Sequence, residues 1–167
     1  MDILKFATEW AKAEVFSSRF FILFAILFLL ASIGFWQLGK TEMAKAYIIP
    51  TLVAGLLLLA VGVGIFYTNK SRVSSFVEDY KSNPETFVES EIQRTEKSMA
   101  EFKTIVFKVI PIIITVASLL IIFIDKPTWR AACITTIGMM LIILLVDSNA
   151  NARLQSYRGQ LEIARNT

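Results

Sequence analysis

The hydrophobic pattern divides the chain into four long apolar segments separated by polar ones. The apolar segments are residues 20–38, 47–67, 109–124 and 128–146. Because a helix needs about 20 residues to cross a hydrocarbon core about 30 Å thick, the first, second and fourth have the length of membrane spans. The third is shorter, but Lys108 can extend its side chain from the end of that span toward water. The pattern therefore predicts a polytopic membrane protein.

The polar segments carry a helical pattern of their own. Apolar residues that recur at alternating spacings of three and four form one stripe along a helix. The stripe before the third span consists of Val88, Ile92, Thr95, Met99, Phe102 and Val106. The C-terminal stripe consists of Ala150, Leu154, Tyr157, Leu161 and Ala164. We expect both segments to continue the neighbouring spans as uninterrupted helices.

The N-terminal segment has two interpretations. Its stripe is formed by Ile3, Phe6, Trp10 and Ala13. The segment either continues into the first span or lies flat in the membrane interface, anchored by Trp10 and bent away near residues 17–18. We favour continuation.

These patterns together predict an all-α fold with four long antiparallel helices. Asn83 can cap the third helix, and Pro84 suits its first position. Each helix would be roughly 55–60 Å long at about 1.5 Å per residue, about twice the hydrocarbon thickness. Short connections then give a single up-down-up-down bundle over residues 1–167. The predicted helices are residues 2–38, 43–82, 84–124 and 128–165.

The distribution of basic residues predicts an orientation. Thirteen of the seventeen Lys and Arg residues lie in segments 1–19, 68–108 and 147–167. The positive-inside rule places these segments, and hence both termini, in the cytoplasm, where they would form the soluble half of the bundle. In layout the chain resembles small four-span proteins of the bacterial inner membrane, and this resemblance implies the same location.

Composition narrows the chemistry. Hydrophobic residues make up 55% of the chain, and the net charge of +3 is spread through mixed-sign segments, so nucleic acid is not an expected partner. Histidine is absent, and the single cysteine, Cys133, lies inside a span. There is no phosphate-binding loop, nucleophile motif or metal-spaced cluster. We therefore expect a protein that is not an enzyme, without catalytic, cofactor-binding or metal-binding residues and without a cofactor.

Lys108 and Asp147 are a candidate ion pair at the cytoplasmic boundary. Lys108 begins the third span and Asp147 ends the fourth, and counting back from the turn between these spans puts both at about the same depth. The pair would hold two helices in register. The functional alternative is a relay for protons or ions.

Small residues mark candidate packing surfaces on the second and fourth spans. Small side chains let helix backbones approach closely inside a membrane. Packing within the bundle is the first interpretation, and contact with a second copy of the chain is the alternative. The candidates are Gly55, Ala60, Gly62, Gly64, Ala132 and Thr136.

The charged residues of the central polar segment alternate in sign, which is typical of a solvated helix face. We therefore expect them to face water without forming a site. They are Glu89, Glu91, Glu96 and Glu101, interspersed with Arg94, Lys97 and Lys103.

These features favour a non-enzymatic membrane protein that acts as a scaffold or adaptor through its cytoplasmic helical half. Its partners would be membrane lipids and either a second copy or another membrane or cytoplasmic protein. One alternative is an oligomeric channel or transporter, although the spans carry few polar residues to line a path. The other is an immunity protein against a pore-forming toxin, for which the sequence offers no direct support.

Overall fold

The computed structural model describes residues 3–166, which are helical except for short connections. Its elements are α1 (Ile3–Leu38), α2 (Glu42–Ala46), α3 (Ile48–Ser82), α4 (Pro84–Thr104), a π-helical segment (Ile105–Val109), α5 (Ile110–Phe123) and α6 (Pro127–Arg165). α2 and α3 form one rod with a break at Tyr47, and α4, the π-helical segment and α5 form another. The four rods confirm the all-α prediction. The predicted first helical residue, 2, and the end of the C-terminal segment, 167, lie outside the described residues.

Local capping explains where the rods end. The side chain of Thr41 accepts a hydrogen bond from the Ala44 amide at 3.1 Å, which starts α2. Asn83 has extended backbone angles, and its Oδ1 accepts from the amide of Thr86 at 3.1 Å. Pro84 then opens α4 without leaving a donor unpaired. Because the connections are this short, consecutive rods run antiparallel.

All four rods are long and apolar enough to cross a membrane. In the most apolar 18 residues of each rod, only 17–28% of the residues are buried inside the bundle. Apolar side chains left exposed to this extent need a hydrocarbon environment, since soluble proteins rarely expose large apolar patches. The length and composition of the rods therefore indicate an integral membrane protein.

The bundle has two separate cores. One lies in the part of the molecule formed by residues 3–19, 68–108 and 147–166, called here the polar half. All four rods contribute to it: its buried members are Ile3, Ala7, Trp10, Ala11, Phe76, Phe87, Val88, Ile92, Leu154, Tyr157 and Leu161. The core of the remaining membrane half is smaller and comes from α1, α3 and α6: Phe21, Ala25, Ala54, Leu58 and Met139.

The predicted stripes of α4 and α6 are confirmed, because every member is buried or half-buried. α1 is one unbroken helix, so the alternative of a flat interfacial helix is wrong. Its buried face differs in detail from the predicted stripe. Phe6 is 36% exposed, and the face runs instead through Ala7 and Ala11, which have no exposed surface. Alanines at these points let the neighbouring helices approach α1 closely.

The membrane half is open on one side. α1 packs along α3, and α6 packs against both of them. α5, in contrast, packs against α6, and none of its Cα atoms lies within 8 Å of one in α1 or α3. A gap therefore separates α3 from α5 in the membrane half.

The predicted packing residues divide into two groups. Gly55 and Gly62 are buried where α3 meets α1, and a Cβ on Gly62 would lie 2.9 Å from the Cβ of Phe21. Ala60 and Gly64 are exposed on another face of α3 and do not pack within the chain. The remaining two candidates, Ala132 and Thr136, are half-buried on α6. Close approach of α1 and α3 thus depends on the two buried glycines.

The two glycine types predict opposite outcomes for one substitution. Gly62→Ala should lower the free energy of unfolding by about 1–3 kcal/mol, because its methyl group would press on the backbone of α1. Gly64→Ala adds the same methyl group where no atom lies within 4 Å, and should be neutral or stabilising by up to about 1 kcal/mol. Unfolding by a denaturing detergent in mixed micelles measures both. Equal effects would contradict the assignment of Gly62 to the α1–α3 contact.

Candidate functional site at the membrane boundary

α3 and α4 form a V whose tip is Asn83. Near the tip the two helices are held together by edge-to-face aromatic contacts, in which the ring of Phe87 lies 5.4 Å from that of Phe76 and 5.6 Å from that of Tyr80. Arg72 and Arg94 both lie eleven residues from Asn83. At about 1.5 Å per residue they stand at the same level of the V, roughly 16 Å from its tip.

A cavity of about 320 Å³ lies in the opening of this V. α1, α3, α4, the π-helical segment and α6 all contribute to its lining. Its charged and polar lining residues are Glu14, Ser17, Ser18, Asn69, Arg72, Arg94, Ser98, Glu101 and Asp147. Its apolar lining residues are Trp10, Phe21, Ile65, Phe102, Ile105, Val106, Val146, Ala150 and Leu154. We call the charged and aromatic residues around it the boundary cluster: Trp10, Glu14, Asn69, Arg72, Glu91, Arg94, Arg153 and Tyr157.

Trp10 is the aromatic centre of the boundary cluster. Its ring stacks on that of Tyr157 with centroids 5.3 Å apart and an interplanar angle of 11°. The guanidinium carbon of Arg94 lies 4.4 Å from the Trp10 ring centroid, and that of Arg72 lies 6.0 Å away. Both distances are within the range of cation–π attraction. The indole Nε1 is buried and has no hydrogen-bond partner among the described residues.

Glu91 joins α4 to α6. Its two carboxylate oxygens accept hydrogen bonds from Arg94 Nε at 2.7 Å and Nη2 at 2.6 Å, and one of them also accepts from the Tyr157 hydroxyl at 2.9 Å. Burial, and then the negative charge of Glu91, raise the pKa of Tyr157, so this hydroxyl stays a neutral donor. The prediction that Glu91 faces solvent is wrong, since it is 5% exposed. The side chain is buried because Tyr157 and Arg94 satisfy its charge.

Glu14 joins α1 to α6. Its Oε1 accepts from Arg153 Nε at 3.1 Å and from Nη2 at 2.9 Å, and the same Nη2 also donates to the Ser17 hydroxyl at 2.8 Å. Burial raises the pKa of Glu14 above its ordinary value of 4.5, although the charges of Arg153 and, to a smaller extent, Arg94 and Arg72 oppose this. The loss of hydration therefore outweighs the attraction of the cations.

Arg72 is the cation of the cluster that lacks a carboxylate partner. Its Nη1 donates to Asn69 Oδ1 at 2.9 Å, and Asn69 in turn donates to the carbonyl of Ile65 at 3.0 Å. No carboxylate of residues 3–166 lies within 4.0 Å of its guanidinium nitrogens. Burial lowers the pKa of Arg72, and so does the neighbouring positive charge of Arg94, although the negative charges of Glu91 and Glu14 partly oppose this. An anion placed here would relieve both effects.

The predicted Lys108–Asp147 ion pair is not formed. Asp147 lines the cavity, whereas Lys108 is exposed on the π-helical segment, and the two side chains make no ion pair. The π-helical turn explains this. Pro111 has no amide hydrogen to bond one turn back, and the amide of Ile110 bonds Ile105, five residues earlier. The wider turn rotates the directions in which the side chains of this rod point. Lys108 and Asp147 therefore do not face each other, although they lie at about the same depth.

Extending the helical spacing could have found part of the boundary cluster. The buried face of α1 continues from Trp10 to Glu14 after four residues and to Ser17 after three more. A carboxylate at such a position on an apolar stripe indicates a buried, paired charge. Arg72 carries no comparable signal, because its role depends on how far α3 and α4 diverge.

The fold and this cluster together define the class of protein: a polytopic all-α membrane protein with charged groups buried where its helices leave the apolar region. Within the described residues, no group of three or more His, Cys, Asp or Glu side chains could hold a metal ion. Comparison with protein-family models, curated proteins and solved structures finds no match to the chain.

The raised pKa of Glu14 predicts an asymmetry between the two partners of its ion pair. Arg153→Met leaves a buried carboxylate without its nearest cation and should lower the free energy of unfolding at pH 7 by about 3–5 kcal/mol. Glu14→Gln removes the costly charge but keeps an oxygen that can accept from Arg153, so its loss should be smaller. The control is Arg158, whose carboxylate partners Glu96 and Glu162 are about half exposed, and Arg158→Met should cost less than about 1 kcal/mol.

The same pair predicts a pH dependence. Because the folded-state pKa of Glu14 is higher than that of the unfolded chain, the folded state binds the proton more tightly, and this contribution to stability declines as the pH rises above 4.5. Arg153→Met should steepen the decline, and Glu14→Gln should remove the part that Glu14 contributes, leaving the part due to Asp147, whose pKa burial raises to about 6. Unfolding titrations between pH 4 and pH 8 provide the measurement, where about 1.4 kcal/mol corresponds to one unit of pKa difference. A pH-independent Arg153→Met variant would contradict the assignment.

Proposed function

We propose that this protein is a non-enzymatic integral membrane protein whose polar half serves as a scaffold or adaptor for a protein partner. The observation that carries the proposal is that the polar half has its own core, to which all four rods contribute. A loose extension of membrane helices would need no such core. A rigid bundle standing outside the apolar region offers a preformed surface, which reduces the entropy lost when a partner binds.

The hydrogen bonds of the boundary cluster support this rigidity. Arg153 ties α6 to α1 through Glu14, and Tyr157 ties α6 to α4 through Glu91. Farther from the cavity, Arg158 bonds Glu96 of α4 at 2.7 Å. Links of this kind fix the rotation of each helix as well as its distance from the next. The outer face of α4 then presents a fixed row of polar side chains to a partner: Glu85, Thr86, Glu89, Ser90 and Gln93.

We further propose that the polar half lies in the cytoplasm of a bacterium, with the spans in its inner membrane and both termini inside. The excess of Lys and Arg in this half supports the orientation. The partner is either a second copy of the chain or a different protein. The exposed small residues Ala60 and Gly64 would suit a second copy, because they leave an open face on α3.

The two other hypotheses have less support. A conducting path needs polar groups that are free to contact ions. In the membrane half, the hydroxyls of Ser32, Thr51, Thr115 and Ser118 donate to backbone carbonyls. No specific feature favours immunity against a pore-forming toxin. Both remain hypotheses ranked below an interaction module.

The orientation predicts a labelling pattern. In a Cys133→Ala background, Lys126→Cys should react with a membrane-impermeant maleimide in intact cells, because residue 126 lies on the side assigned to the exterior. Gln93→Cys, exposed on α4, should react only after the membrane is permeabilised. Gel-shift detection of the labelled chain gives the result. The reverse labelling pattern would contradict the proposed orientation and place both termini outside the cell.

The scaffold proposal predicts a discrete crosslinked complex. A photo-crosslinking amino acid at Gln93 or Gln155, both exposed in the polar half, should capture one defined partner in cells. The same amino acid at Lys40, exposed at the opposite end of the bundle, is the control and should not capture it. Mass spectrometry of the adduct distinguishes a second copy from another protein. Absence of a discrete adduct at both polar-half positions would count against the proposal.

A further inference from the structure

The cavity in the V has opposite chemistry at its two ends. At the end that faces the polar half, Arg72, Arg94 and Trp10 meet at one level. Phe21 is eleven residues from Trp10 along α1, and it therefore lines the cavity roughly 16 Å closer to the membrane half. Ile65 and Val106 line this apolar end as well. Asp147 lines the cavity at this level too, and burial raises its pKa to about 6. The cavity is thus a short cleft across the membrane boundary, cationic at one end and mostly apolar at the other.

The polar end has donors without acceptors. Arg72 uses one of its N–H groups on Asn69, and the buried indole Nε1 of Trp10 has no hydrogen-bond partner among residues 3–166. A guanidinium has five such donors. Buried donors are normally satisfied, so this end of the cavity is suited to a ligand that carries several acceptor oxygens. Glu91 and Glu14 offset only part of the cost of burying the Arg72 charge, and an anion there would offset more of it.

The carboxylates that line the cavity do not supply acceptor oxygens to Arg72. Glu14 is held by Arg153, and Glu101 is exposed. Asp147 lies ten residues from Tyr157 along α6, and Tyr157 stacks on Trp10. Asp147 is therefore roughly 15 Å from the level of the two arginines along the bundle axis. The cationic end of the cavity keeps its preference for an anion.

The apolar end can continue into the gap between α3 and α5. The π-helical segment forms one wall of the cavity through Ile105 and Val106, and Ile65 of α3 forms another. Farther into the membrane half, α5 packs against α6, and none of its Cα atoms lies within 8 Å of one in α3. Hydrocarbon chains can therefore pass from this end of the cavity into the surrounding lipid.

We propose that the cavity binds one phospholipid, with the headgroup phosphate held by Arg72 and Trp10 and the acyl chains leaving between α3 and α5. The phosphate supplies acceptor oxygens for the guanidinium, in the charge-assisted geometry that arginine favours. The indole N–H is buried, and it donates to the phosphate after a small rotation of the Trp10 ring. The glycerol region lies against the hydroxyls and amides of the middle level, including Ser17 and Asn69. A cavity of about 320 Å³ is within the size range of small-ligand sites, roughly 300–1,000 Å³.

Free phosphate would satisfy the same donors as a lipid phosphate. The apolar end of the cavity distinguishes the two ligands. A free anion would leave that end empty or filled with water, whereas a lipid fills both ends. The experiment therefore compares three probes with the full-length protein in detergent: phosphatidylglycerol, a diacylglycerol with the same acyl chains and no phosphate, and inorganic phosphate. Native mass spectrometry counts bound molecules per chain and gives the dissociation constants.

We expect phosphatidylglycerol to bind at one molecule per chain, and diacylglycerol at least about tenfold more weakly, because a hydrogen-bonded charge is lost. Inorganic phosphate should neither bind measurably nor displace the lipid. Equal affinity for the two lipids would overturn the role of the phosphate. Displacement by inorganic phosphate would overturn the lipid and assign the site to a soluble anion.

Two variants and one control test the residues. Arg72→Gln should weaken phosphatidylglycerol binding about tenfold. Trp10→Phe keeps an aromatic ring against Tyr157 but removes the indole donor, and should weaken it by a smaller factor. The control is Lys70→Gln on the same helix, which is exposed and should change the affinity less than twofold. An equal loss in the control would indicate general surface attraction and overturn the site. Melting temperatures in the absence of added lipid establish that each variant is folded, and unchanged affinity in both folded variants would refute the proposal.

Discussion

The structure depends on one constraint: each helix keeps a single inward face while its surroundings change from lipid to water. In the membrane half that face needs only small or apolar side chains, such as Ala25 and Gly62. In the polar half it must form a core of its own, because the outward faces there are charged. The charged residues that the inward faces carry at the boundary are buried as the helices meet, and so they require partners. Glu14 with Arg153, and Glu91 with Arg94 and Tyr157, meet that requirement.

The same constraint leaves the boundary region as the place where packing is least complete. Phe76 and Phe87 pack at the tip of the V, and the cavity lies where α3 and α4 diverge toward the membrane. The π-helical turn before Pro111 then directs α5 against α6 alone. The resulting cavity is a consequence of how two helices diverge. Its chemistry follows from which side chains stand at each level, with Arg72 at the polar end and Phe21 at the apolar end.

The sequence predicted the rods well because a helix with one apolar stripe has a strong periodic signal. The stripes from Val88 to Val106 and from Ala150 to Ala164 are buried as expected, and Asn83 and Pro84 mark the break between the second and third rods. The boundary cluster was harder to predict. Glu91 and Arg94 are three residues apart and alternate in sign with their neighbours. The local sequence pattern is therefore the same whether such a pair is buried or solvated. Only the approach of Tyr157 from α6 distinguishes the two.

By itself the sequence determined the class of fold, the number of rods and their limits, since hydrophobic spacing, caps and span length act within one segment of chain. The tertiary structure decided which charges are buried, which glycines pack, and that Lys108 does not meet Asp147. Those outcomes depend on the rotation of each rod about its own axis, and rotation is set by neighbours distant in sequence. A wider turn such as Ile105–Val109 shifts that rotation for every residue beyond it.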